Sequence, residues 1–210
     1  MPIFKHISIH TDCDLYIWEI NETLNELLQM VHLKDTDRQK LEKFGSESRK
    51  KEFLCTRILI QQCLGSDVQV YNDEHGKPHL ISSDLKISIT HTKNFVAILL
   101  SKTHVHALDM EYLSERVYRI APRFLSKSEL QNISETNKTL HLYQHWCAKE
   151  CLIKLYGKKD VHLIDELKID IFQPSDKRFT GEVCRADFSK KYTFEYLQFD
   201  EYLLVYSLKK

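Results

Sequence analysis

Between residues 68 and 111 the sequence crowds five strand-like segments so closely that no helix fits between any two of them. Val68–Tyr71 and His79–Ile81 flank a turn, Asn72-Asp-Glu-His-Gly76-Lys77-Pro78. Lys86–His91 and Phe95–Ser101 are separated by Thr-Lys-Asn, and Val105–Glu111 follows almost at once. A parallel pair needs a crossover of about a dozen residues or more, so this spacing predicts antiparallel pairing in a meander. Helical periodicity lies on either side of it. Leu24, Leu27, Leu28 and Val31 predict a helix over Thr23–Val31. A second helical region starts near Asp37, breaks at Gly45-Ser46 and resumes to Leu64, with Ser46 suited to the N-cap and Gly65 to the position after the last turn. Helices are expected again over Glu115–Leu125 and Asn137–Tyr156, the latter stopped by Gly157. Alternating segments at 3–10 and 15–20 open the chain, and others at 167–173, 178–185, 191–198 and 201–208 close it. That order is α+β rather than a regular βαβ alternation.

At 210 residues the chain is long for one small core and short for two independent domains, so one unit of two closely packed halves is expected, with its boundary between residues 100 and 112. Thirty basic and thirty acidic side chains cancel, which gives no reason to invoke nucleic acid or an anionic membrane. Any anion site must be local. The six cysteines form no Cys-x-x-Cys pair and are too sparse for a disulfide scaffold. The start, Met-Pro-Ile-Phe-Lys-His, lacks the apolar core of a secretory signal, and the longest apolar run, Phe95–Leu100, is too short to span a bilayer. A cytoplasmic protein is the expectation.

Two short segments concentrate charge where burial makes charge costly. In Ala107-Leu-Asp109-Met-Glu111 the two carboxylates stand two apart at the end of a strand, hence on one face, where each raises the other's pKa unless a cation compensates. In Trp146-Cys-Ala-Lys149-Glu150-Cys-Leu-Ile-Lys154, Trp146, Glu150 and Lys154 fall within roughly 80° of arc on one helical face. Taken singly, the first reads as a solvated acidic edge and the second as a surface Glu–Lys pair worth about 0.2–0.5 kcal/mol. One shared ion accounts for both, and hard oxygen ligands on two rigid elements suit Mg²⁺, which fills its sphere with water and substrate phosphates. Further phosphate-suited groups lie upstream. Thr90-His91-Thr92 closes a strand, Lys77 sits in the Gly-Lys-Pro turn, and Arg57 stands among apolar neighbours and needs a partner. The run Arg49-Lys-Lys51 reads as a solvated basic face.

In order and spacing between residues 76 and 154, the chain resembles the 4′-phosphopantetheinyl transferases of the longer, surfactin-synthetase-activating type. The matching elements are Gly76-Lys77-Pro78, Ile87-Ser-Ile-Thr90-His91-Thr92, Leu108-Asp109-Met110-Glu111 and Trp146-x-x-Lys149-Glu150-x-x-x-Lys154. Ala107 takes the place of a usual glycine, Thr90 and Thr92 those of serines, and Cys151 that of a small alanine; none of these removes a charge. The resemblance implies two pseudo-symmetric α+β halves, 1–105 and 106–210, with the active site in the cleft between them. It implies transfer of the phosphopantetheine arm of coenzyme A to a serine of an acyl or peptidyl carrier protein, with release of 3′,5′-ADP; the length, enough for both halves in one chain, gives a monomer as the expectation. By the same resemblance Asp109, Glu111 and Glu150 hold Mg²⁺. Glu150 is also the general base and Lys154 the counter-charge to the pyrophosphate, while Lys77, Thr90, His91 and, on a looser match, Arg57 bind coenzyme A.

Three other readings compete. His141, His145, Cys147 and Cys151 crowd one helix as zinc ligands would, but the His pair and the Cys pair point about 120° apart. No Cys–His spacing marks a thiol hydrolase. A non-catalytic module that binds coenzyme A or a carrier protein would keep Lys77 and His91 yet has no use for three acidic ligands and Lys154.

Overall fold

Side-chain caps open several of the helices. The computed structural model describes residues 3–209, and in it Thr23 opens α1 (Leu24–Met30) with a reciprocal capping box to Glu26. After α2 (Asp35–Glu42), the Ser46 hydroxyl accepts from the Arg49 amide and starts α3 (Glu47–Leu64), which ends on Gly65. The break expected at Gly45-Ser46 is therefore a capped helix start.

The chain divides into two compact units. One runs to Asp73 and includes Pro78–Thr103; the other comprises Glu74–Lys77 and the chain from His104 onward. In the first, β1 (Lys5–His10), β2 (Cys13–Glu19), β5 (Lys86–Thr92) and β6 (Phe95–Ser101) form an antiparallel sheet in the order β1-β2-β6-β5, while β3 (Gln69–Asn72) and β4 (Pro78–Ile81) pair only with each other. Helix α3 packs on this sheet, closing a core around Trp18, Leu27, Leu54, Ile58, Val96 and Ile98.

In the second unit the sheet order is β7-β11-β10-β9-β8, built from β7 (Val105–Tyr112), β8 (Leu167–Ile169), β9 (Arg178–Cys184), β10 (Ser189–Phe199) and β11 (Tyr202–Lys209). Helix α6 (Lys138–Tyr156) lies against β7 and β11 over a core that includes Phe124, Cys147, Cys151, Leu152, Phe179, Phe194 and Val205. The expected meander stops at β6. That strand already has β2 and β5 on its two edges, so β7 pairs instead with β11, about ninety residues later in the chain. The single helix expected over 115–125 is shorter, because Pro122 turns it into a 3₁₀ segment after α4 (Arg116–Ile120). A further short helix, α5 (Lys127–Gln131), follows behind a Ser126–Glu129 capping box that periodicity does not reveal. Strand β8 is likewise shorter than the 167–173 expected. Among the described residues no helix is long and apolar enough to cross a membrane.

Candidate active site

The acidic residues singled out from spacing meet in the second unit, on β7 and the facing side of α6. Register places Asp109 opposite Val205 and Glu111 opposite Leu203, so both carboxylates share one face of β7. Lys154, two turns beyond Cys147 on α6, donates to Asp109 Oδ1 at 2.9 Å and to the Leu108 carbonyl at 2.7 Å. The helix thus reaches the strand with a side chain as well as with its apolar face.

Electrostatics mark the cluster as overfilled with negative charge. Burial pushes the Glu150 carboxyl up to about 7, reinforced by the charges of Asp109 and Glu111 and opposed by Lys154. Glu111 is raised too, by burial first and then by Asp109, against the hydrogen bond from Trp146 and the charges of Arg116 and Lys154. For Lys154 burial is the largest single effect and disfavours the cation, but Asp109, its hydrogen bond and the neighbouring Cys151 and Glu150 together outweigh it and the ammonium pKa rises. Three carboxylates against one bound ammonium make a donor set of hard oxygens with surplus charge, which is what a small divalent cation requires. Among the described residues these three carboxylate groups are not drawn within 4.8 Å of one another as a closed cage.

Neighbours fix the cluster from behind. The Trp146 indole donates to Glu111 Oε1 at 3.1 Å while its ring meets Phe124 edge-on at 5.0 Å. The Cys147 thiol is buried beside Asp109, and burial first and that charge next push its pKa up. Tyr143 and Ser114 share a 3.1 Å hydrogen bond between hydroxyls. Lys149 belongs to the same motif but not to the same face. It is fully buried, and its ammonium donates to the Phe124 and Leu163 carbonyls and to Glu129, at 2.7, 2.9 and 2.9 Å. Its three donors are thereby used, and it anchors α6 to the segment that carries α5.

Lys77 is grouped with this second unit. A Cβ built on Gly157, the left-handed residue that ends α6, would stand 4.0 Å from Lys77 Nζ. The lysine therefore lies at the negative end of the helix dipole, one turn past Lys154.

The remaining candidates lie in the first unit. Thr90 is buried on β5. His91, next to it, forms a cluster with α3, since Arg49 Nη1 approaches its Nε2 at 2.9 Å and Glu52 at 2.8 Å, and His91 Nδ1 is 3.3 Å from Glu52. Arg49 is the residue that spacing alone passed over as part of a solvated run; its nearness to His91 is a tertiary contact across forty-two positions. Arg57 has the partner its burial demands. Its Nε and Nη2 bind both oxygens of Asp37 at 2.9 Å, and its guanidinium lies 4.4 Å from the Phe53 ring centroid.

The zinc arrangement is not found. His141 and His145 pack around Phe172, whereas Cys147 and Cys151 are fully buried, Cys147 toward Asp109 and Cys151 toward the Val205 carbonyl. Burial raises both thiol pKa values well above the ordinary range, so neither is a nucleophile at neutral pH.

Residues 107–207 match the model of the 4′-phosphopantetheinyl transferase superfamily, a stretch that takes in Asp109, Glu111, Glu150 and Lys154. A curated relative from Synechocystis sp., named "Putative 4'-phosphopantetheinyl transferase slr0495", is 25% identical over 132 residues, covering 56% of this chain and 54% of the relative. The match thus spans about half the length of each protein.

Proposed function

We propose that the protein transfers the 4′-phosphopantetheine arm of coenzyme A to a serine of an acyl or peptidyl carrier protein, with Mg²⁺ as cofactor and 3′,5′-ADP as leaving product. The observation that carries this reading is the cluster of Asp109, Glu111 and Glu150 around the bound ammonium of Lys154, inside the stretch that matches the superfamily. Asp109, Glu111 and Glu150 are the residues that would hold the cation, whose contribution is to neutralise charge on the pyrophosphate oxygens.

In the proposed step the serine oxygen bonds to the phosphorus that bears the pantetheine arm. The bond from that phosphorus to the bridging oxygen breaks, and 3′,5′-ADP leaves. Glu150 takes the serine proton, directly or through a water; a carboxyl with a pKa of about 7 is matched to that exchange near neutrality. Lys154, its pKa raised against burial by Asp109 together with Cys151 and Glu150, stays an ammonium and offsets the charge of the pyrophosphate as it separates. Lys77, Thr90 and His91 are assigned to the phosphates of coenzyme A, with Arg49 added because it shares a cluster with His91. Arg57 would act from within its ion pair with Asp37. Positioning and electrostatics suffice, with no covalent enzyme intermediate. The longer, surfactin-synthetase-activating type, the halves 1–105 and 106–210, the monomeric state and a cytoplasmic location belong to the same reading.

Incubating the purified protein with coenzyme A, Mg²⁺ and a panel of apo-carrier proteins tests it by intact mass. Gain of one phosphopantetheinyl group on at least one carrier, suppressed by a chelator, is the expected result. Coenzyme A binding with no mass gain on any carrier of a broad panel would instead favour a non-catalytic module.

A further inference from the structure

Glu111 is the strand carboxylate of the cluster that α6 holds through a neutral donor. Among the described residues the Trp146 indole is the side-chain hydrogen-bond donor that reaches it, at 3.1 Å, and the side chain is neither exposed nor fully buried. Asp109, by contrast, is bound by the Lys154 ammonium at 2.9 Å. Two donors of α6, Trp146 and Lys154, thus engage the two strand carboxylates, Glu111 and Asp109, that stand two apart on β7. A glutamate left to itself samples several rotamers, and a carboxyl beside another negative charge tends to hold its proton. An N–H donor on one oxygen counters both, because it fixes the rotamer and favours the ionised form.

We propose that Trp146 is a positioning residue for the cation site. Its indole N–H holds one oxygen of Glu111 and leaves the other oriented to ligate a divalent cation. This rests on the reading above that Asp109, Glu111 and Glu150 take such a cation. It differs from a packing role, which the contact of the indole with Phe124 would serve equally well with any ring of similar shape. Partners behind a metal ligand commonly tune affinity by about 10–100-fold, and an effect of that size is expected here.

The test uses the intact chain and Mg²⁺ or Mn²⁺ alone. Calorimetric titration of Trp146→Phe, which keeps the ring against Phe124 and removes the N–H, should give a dissociation constant about 10–100-fold weaker than wild type. The same substitution in a Glu111→Gln background should add little, because the indole acts through that carboxylate. In the transfer assay the Mg²⁺ concentration for half-maximal rate should rise while the rate at saturating Mg²⁺ recovers. A second readout needs no variant to fold. In ¹⁵N-labelled wild type the Trp146 indole resonance should move on cation addition. The indole of Trp18 donates to Glu22 at 3.3 Å in the first unit and serves as an internal control that stays in place. Equal affinity of wild type and Trp146→Phe, or an unmoved Trp146 resonance in a cation-saturated sample, overturns the positioning role alone. Absence of any cation binding by wild type overturns the cation reading and this role together.

Discussion

Lys149 and Lys154 stand five positions apart in one helical motif and have opposite duties. Lys149 is sealed in the core, with its ammonium given to Glu129 and two carbonyls. Replacing it by methionine strands Glu129 as a buried charge, so Lys149→Met should cost about 3–5 kcal/mol, read as a lower denaturant midpoint. Lys154 faces the carboxylate cluster, and Lys154→Ala should leave a folded protein that no longer transfers the arm; near-normal turnover would remove the role given to it. Glu150 supplies a pH prediction. Its pKa of about 7 in the fold means that the carboxyl is protonated below that value and ionised above it. Divalent-cation affinity of wild type should therefore rise with pH through about 7 and level off beyond it, and Glu150→Gln should lose most of that dependence. Spacing alone made the shared faces of these residues legible, because strand and helix periods act locally. It did not reveal that Lys149 is interior or that Trp146 donates to Glu111, since those partners come from residues fourteen to thirty-five positions away.

At the scale of elements, caps and turns were readable where a side chain meets its own neighbours. Ser46, Gly65 and Gly157 all end or begin helices as expected. Gly157 adopts φ +83, so Gly157→Ala should destabilise by about 1–2 kcal/mol and loosen the end of α6 where Lys77 lies. Gly181 on β9 is a stronger case of close approach. An added Cβ would stand 2.6 Å from Ile169 Cδ1 and 2.8 Å from the Lys168 carbonyl, so Gly181→Ala must shift β8 against β9, at about 1–3 kcal/mol by thermal or chemical unfolding. The membership of β7 was not legible. Short turns fix which neighbouring strands run antiparallel, but only the occupied edges of β6 and the distant β11 decide that β7 enters the second sheet. That choice matters for the site, because β7 in that sheet lies under α6.

For the molecule as a whole, acid stability is set in the core of the second unit as well as at the site. Burial holds His141 and His145 neutral, with pKa values pushed down to about 4. Below about 6.5 the unfolded chain takes up protons that these folded imidazoles refuse, so this contribution is present above pH 6.5 and is lost as pH falls toward 4. For His141 it amounts to something on the order of 3 kcal/mol. Glu111 and Glu150 act with the opposite sign, since their raised pKa values favour the fold on the acid side. The difference between wild type and His141→Asn, which keeps an acceptor for the Ser134 amide, should isolate the histidine effect as a flatter acid limb. Composition was silent about all of this: a net charge of zero conceals an acidic cluster, a buried lysine and neutral histidines within one unit. We propose phosphopantetheinyl transfer by the carboxylates shared by β7 and α6. Its most direct check is conversion of an apo-carrier to the holo form, followed by intact mass, with coenzyme A and Mg²⁺ and with wild type, Asp109→Ala and Glu150→Gln compared side by side. Conversion by wild type, with both variants folded and slower by about a hundredfold or more, is expected. Conversion by the folded variants at the wild-type rate would contradict it.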